Sequence, residues 1–286
     1  VSGARAGGTS RTAAMRSVSS SDALTTQGRP ALIPRMRALA ALIFGFVAGT
    51  APAHALVGGA AAGGPGAQHV VTIIGAGGRV CTGTALSRDL VLTAAHCVAG
   101  GASPRVVGYR GSYIIAARGV RMHPGFDMKA FARARATPDV ALIRLESTLP
   151  ASVVPAALAA DVQAPGVGQT VGIVGVGMVE AGRDAGIGIA RSAALVVTGQ
   201  PGGLQVRLVD PASRNARAGL GACTGDSGGP AFREDDGRLA VIGVVSWSTG
   251  ANNAAGCGGL TGITPLVRYR AWIVETARGL GSPLSP

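Results

Sequence analysis

The stretch Gly221-Ala222-Cys223-Thr224-Gly225-Asp226-Ser227-Gly228-Gly229-Pro230 sets a serine among glycines, directly after an acid. A serine hydroxyl attacks a carbonyl only when a base takes its proton and hydrogen-bond donors receive the charge growing on the attacked oxygen. The flanking glycines permit positive-φ, tightly turned backbone in which the amides of Gly225 and Ser227 point at one spot. With 46 glycines in 286 residues, a bare Gly-x-Ser-Gly would mean little. The full Gly-Asp-Ser-Gly-Gly-Pro run is far less common in ordinary turns, so Ser227 is the candidate nucleophile.

Two upstream segments complete the chemistry. Leu92-Thr93-Ala94-Ala95-His96-Cys97 ends a short apolar run on a histidine, and Asp139-Val140-Ala141-Leu142-Ile143-Arg144-Leu145 places an acid at the head of another. In this order, with His96 and Asp139 before Ser227, the three segments resemble those of the trypsin/chymotrypsin-like serine proteases. The resemblance spans about residues 56 to 280. It implies an all-β fold of two six-stranded antiparallel β-barrels, about 56–155 and 165–265, with a carboxy-terminal helix at about 267–280.

What the resemblance implies about residues follows from those matches. His96 is the general base, Asp139 the acid that orients it and Ser227 the nucleophile, under an oxyanion hole made by the Gly225 and Ser227 amides. Asp127 competes for the acid's role but has no strand after it. Ser246 donates to Asp139, and Ser246-Trp247-Ser248 offers a backbone edge to the substrate. Four cysteines allow three pairings; the resemblance selects Cys81–Cys97 and Cys223–Cys257. Gly221 stands where the trypsin branch has an aspartate, and Ser248 and Thr261 align with the pocket walls. A buried arginine there would lose its hydration without a partner, so the expected preference is for uncharged, small or medium apolar residues.

The front of the chain reads differently. Residues 1–35 are rich in Ser, Thr, Ala and Arg and read as a disordered or untranslated extension. Residues 36–55, with Arg35 and Arg37 as the charged flank on either side of Met36, hold an apolar run and Ala53-His54-Ala55, the pattern of a cleaved secretory signal peptide. Cleavage would expose Leu56-Val57-Gly58-Gly59, similar to the start of activated family members. There the freed ammonium pairs with the acid before the nucleophile, here Asp226, so export itself would generate the active form. Activity is then expected to fade at alkaline pH as that ammonium, with an ordinary pKa near ~8, loses its proton. An exported, periplasmic or extracellular protein agrees with paired cysteines.

Along residues 56–286, read as the protease domain, short strands are expected at 70–74, 79–86, 90–92, 106–107, 113–116, 120–122, 169–177, 193–197, 204–208 and in a hairpin at 231–247. Residues 150–165 read as the connection between barrels, and His123-Pro124 opens a polar loop. His69 and His123 read as surface or strand-end residues. The stretch 108–119 holds no carboxylate, so no calcium is expected there, and no Cys/His spacing suggests another metal or a cofactor.

The net charge is +12, and Lys129 is the one lysine. The arginines are scattered rather than clustered with aromatics, which reads as a solvated basic surface rather than a nucleic-acid site. The expected partners are peptide or protein substrates and a protein protease inhibitor, with the protein a monomer, free of nucleic acid, and free of membrane after signal cleavage. Two other readings stand beside this one: a catalytically inactive binding module on the same fold, and a basic envelope- or nucleic-acid-binding protein.

Overall fold

The computed structural model describes residues 56–59, 66–101, 103–108, 111–160, 163–235 and 237–284. The extension and signal-peptide readings of residues 1–55 lie outside them. The first barrel closes in the order β1 (Val70–Ile74), β2 (Val80–Ala85), β3 (Leu90–Thr93), β6 (Ala141–Leu145), β5 (Ile114–Met122) and β4 (Arg105–Val107). The second closes as β11 (Pro230–Asp235), β8 (Thr170–Gly175), β9 (Arg191–Gly199), β10 (Val206–Val209), β13 (Thr261–Pro265) and β12 (Arg238–Ser248), with β11 returning to β12. All twelve strands pair antiparallel around these circuits. Closure pairs the strands on both sides around each circuit, apart from strand ends such as Ser246–Ser248 of β12.

Aromatics make up only 3% of the chain, so aliphatic side chains fill both interiors. Ile73, Leu92, Leu142 and Ile143 are fully buried in the first core, and Ile173, Leu195, Leu208 and Ile263 in the second. The carboxy-terminal helix α3 (Arg270–Gly279) lays Ile273 and Ala277, with Tyr269 just before it, into the first core. That is the face expected from the 269, 272, 273, 277, 280 spacing.

Four elements differ from the sequence reading. The runs 113–116 and 120–122 form one strand, β5, because a bulge between Ala117 and Gly119 carries the pairing through. The segment 150–165 contains a short strand, β7 (Ala157–Leu158), parallel to β12 at Ala240 and Val241. The strand β13 carries Gly-Ile-Thr-Pro, whose glycine and proline disguise it. The polar loop after His123-Pro124 holds a helix, α2 (Met128–Ala132), and Asp127 is its N-cap: Oδ1 accepts from the amides of Lys129 and Ala130 at 2.8 and 3.2 Å. Asp127 thus caps a helix, whereas Asp139 bonds His96. No helix of the described residues is long and apolar enough to cross a membrane.

Candidate active site

Strands β3 and β6 are neighbours, with Thr93 opposite Ala141. The chain leaves β3 into the single turn α1 (Ala95–Val98), which carries His96, and enters β6 from Asp139, so the pairing sets the two side chains together. The Asp139 carboxylate is buried and accepts from His96 Nδ1 at 2.7 Å, the His96 amide at 2.9 Å and Ser246 Oγ at 2.6 Å. An ionised carboxylate only accepts, so Nδ1 carries the proton and Nε2 keeps its lone pair. Cys81 and Cys97 lie beside His96, but their sulfurs are joined to each other and cannot ligate a metal. Against one face of the imidazole lies Phe131 of α2, stacked at 4.4 Å with planes 13° apart. Sequence gave no signal for that contact, since the helix was hidden in a polar loop.

The turn carrying Ser227 belongs to the second barrel but is bonded to the first. Thr82 on β2 makes the join. Its amide donates to the Ser227 carbonyl at 2.8 Å, its hydroxyl donates to the Gly225 carbonyl at 2.8 Å, and that hydroxyl accepts from the Val176 amide at 3.0 Å. Gly225 and Gly228 have φ of 96° and 86°, where a side chain is strained. A Cβ on Gly228 would also strike the Thr82 carbonyl and the Thr93 hydroxyl. Ser227 is therefore held against the segment Thr93–Ala94 that leads into His96. Among the described residues the amides of Gly225 and Ser227 donate to no protein acceptor.

Asp226, between them, is completely buried. Burial pushes its carboxyl up to about 7, against the amide bonds from Cys223 and Gly177 and the positive field of Arg191. At the chain's start Leu56 is also fully buried, in one cluster with Ala222, and Val57 bridges to Gly221. The expected partners Leu56 and Asp226 thus meet the same loop.

The Trypsin family profile matches residues 56–273. The chain belongs to the trypsin-like serine proteases. It is 29% identical over 186 residues to a trypsin-like protease of Streptomyces glaucescens, covering 59% of this chain and 65%, just under two thirds, of that protein. It is 26% identical over 219 residues to trypsin alpha of Drosophila erecta, covering 71% and 80% of the two chains. It is 29% identical over 237 residues to serine protease SP24D of Anopheles gambiae, covering 78% and 81%.

The remaining candidate residues of this trypsin-like protease fall around one loop system. Disulfides join Cys81 to Cys97 and Cys223 to Cys257. Gly221 packs so tightly on Gly258 and Gly259 that a Cβ would approach the Gly258 Cα to 3.0 Å. The Thr261 hydroxyl is buried and accepts from the Ala222 amide at 2.9 Å, so it braces the pocket loop. Trp247 lies over Gly262, where a Cβ would sit 2.0 Å from its ring. Ser248 ends β12, half-buried, opposite Thr261. His69 and His123 both flank strands, yet His69 is buried, with Nδ1 2.7 Å from the Val154 carbonyl oxygen. His123 packs edge-on to Tyr269 and Trp272, and burial lowers its pKa.

Proposed function

We propose that this chain, a serine-type endopeptidase by family, hydrolyses peptide bonds with His96, Asp139 and Ser227 as general base, orienting acid and nucleophile. His96 Nε2 takes the Ser227 proton as the hydroxyl attacks the scissile carbonyl. The Gly225 and Ser227 amides stabilise the oxyanion, the leaving amine departs with the proton, and water then releases the acyl group by the same route. The observation that carries this reading is the Asp139 carboxylate, whose three accepted bonds fix the imidazole with Nδ1 toward the acid and Nε2 as the nitrogen left to act as base.

The substrate would lie along β12. Beyond Val245, the edge of Ser246–Ser248 away from β13 has no strand partner among the described residues, and an extended peptide could pair there. Gly221 offers no countercharge to a basic side chain, so cleavage follows uncharged, small or medium apolar residues. The active form is an exported protein beginning at Leu56, with the new ammonium beside Asp226.

A serine-directed phosphonate should label Ser227, and Ser227→Ala should abolish both labelling and hydrolysis. Peptides differing only in the residue before the cleaved bond test specificity: Ala, Val or Leu peptides should turn over faster than the Arg peptide. Fastest turnover of the Arg peptide overturns the specificity, and absence of labelling overturns the mechanism. Sequencing of the secreted, active protein should read Leu-Val-Gly-Gly; active protein that starts elsewhere rejects the processing step.

A further inference from the structure

Arg191 opens β9 and is 8% exposed, unusual for an arginine. Its cross-strand neighbour on β8 is Gly175. Directly paired residues project their side chains from the same face of a sheet, with Cβ positions about 5 Å apart. At Gly175 that direction is occupied: a Cβ there would lie 2.1 Å from Asp226 Oδ1. The missing side chain of Gly175 is thus the room that Asp226 fills, and Arg191 leaves the sheet toward the same space. Its guanidinium is steadied by the carbonyls of Gly186 and Ile189, with Nη1 at 3.3 and 3.4 Å.

We propose that Arg191 is a second, permanently charged partner of Asp226, a positioning residue that favours the ionised carboxylate against burial and helps to order the turn carrying Ser227 when the Leu56 amino group is uncharged or still in peptide linkage. The inference rests on the proposed catalytic reading for its kinetic consequence, but not for its electrostatic one. The groups facing Asp226 are few. β8 and its continuation present Gly175 and the Gly177 amide, the turn itself presents the Cys223 amide, β9 presents Arg191, and the chain start presents Leu56. Among the charged side chains described, Arg191 is the one whose field lowers the Asp226 pKa against burial. A buried carboxylate without a cation is costly, and a guanidinium does not titrate in the range where an α-ammonium does.

The decisive measurement is a double-mutant cycle on thermal unfolding of the inactive Ser227→Ala protein at pH 8, using Arg191→Met, Asp226→Asn and both. Arg191→Met alone should lower the midpoint by roughly 5–10 °C, and adding Asp226→Asn should restore most of that loss. Additive effects overturn the assignment. If Arg191→Met does not fold, rescue by Asp226→Asn supports the assignment, and failure of rescue overturns it. The active protein gives a second readout. Between pH 8 and 10 the fade in kcat/KM expected from loss of the ammonium should be limited to about 3-fold in the parent and in Arg191→Lys, because the second cation remains, while Arg191→Met falls more than about 10-fold. Coincident profiles also overturn the proposal. The unfolding cycle decides on Arg191 even where no hydrolysis is seen, whereas phosphonate labelling of Ser227 tests the catalytic reading separately.

Discussion

Asp139 shows how one residue's surroundings carry a chemical role. Its carboxylate accepts from a ring nitrogen, an amide and a hydroxyl, so changing the acceptor to a donor reverses what His96 can do. Asp139→Asn should turn its amide NH2 toward Nδ1, favour the wrong tautomer and reduce kcat by about 10⁴-fold, with little change in KM. Ser246→Ala removes one of the three bonds and should cost on the order of 10-fold, consistent with one bond to a charged group. Steady-state kinetics on a Leu or Ala peptide separate the two. Thr82 is equally exacting. Thr82→Val keeps the shape but leaves the Gly225 carbonyl and the Val176 amide without their partner. It should destabilise by about 2–5 kcal/mol, and Thr82→Ser should recover most of that loss in chemical denaturation.

At the scale of elements, His96, the proposed general base, depends on a helix that contributes no proposed catalytic group of its own. Helix α2 is five residues long, too short to persist alone. It is held by the Asp127 cap and by Phe131 packed on His96. Asp127→Ala should lower stability by about 1 kcal/mol. Phe131→Ala should lower kcat/KM by roughly 2–10-fold, the range expected for one aromatic stack. A Phe131→Ala enzyme with parental kcat/KM would show that the stack does not steady the imidazole. The join between barrels adds polar links to shared apolar packing: β2 reaches the turn carrying Ser227 through Thr82, while Val174, Phe232, Val241 and Val244 of the second barrel lie in one buried cluster with the first.

For the whole molecule the relevant quantities are charge burial and cross-linking. Where Leu56 is still in peptide linkage, the Asp226 carboxyl is pushed up to about 7, chiefly by burial. A folded pKa above the unfolded one adds stability that is complete at low pH and disappears as pH rises through the folded value. The unprocessed Ser227→Ala chain should therefore lose melting temperature between about pH 4 and 8, whereas the same protein beginning at Leu56, with an ammonium partner, should not. A flat pH profile for both forms would remove the electrostatic argument. The disulfides span 16 and 34 residues. By loop closure they contribute roughly 3 and 4 kcal/mol, so reduction should lower the melting midpoint well before any peptide bond is cut.

Sequence by itself determined the barrel class, the candidate triad and α3. Each is written in contiguous residues: Gly-Asp-Ser-Gly-Gly-Pro, Thr-Ala-Ala-His-Cys, and apolar positions at helical spacing from Tyr269 to Leu280. Only the tertiary structure decided that Thr82 ties the barrels together, that Phe131 covers His96, that Thr261 braces Ala222, and that Arg191 pairs across strands with Gly175, whose missing side chain leaves the room that Asp226 fills. Those pairings join residues from 16 to 145 positions apart in the chain. Strand register and barrel closure bring them together, and neither composition nor local periodicity encodes which distant side chains share one buried space.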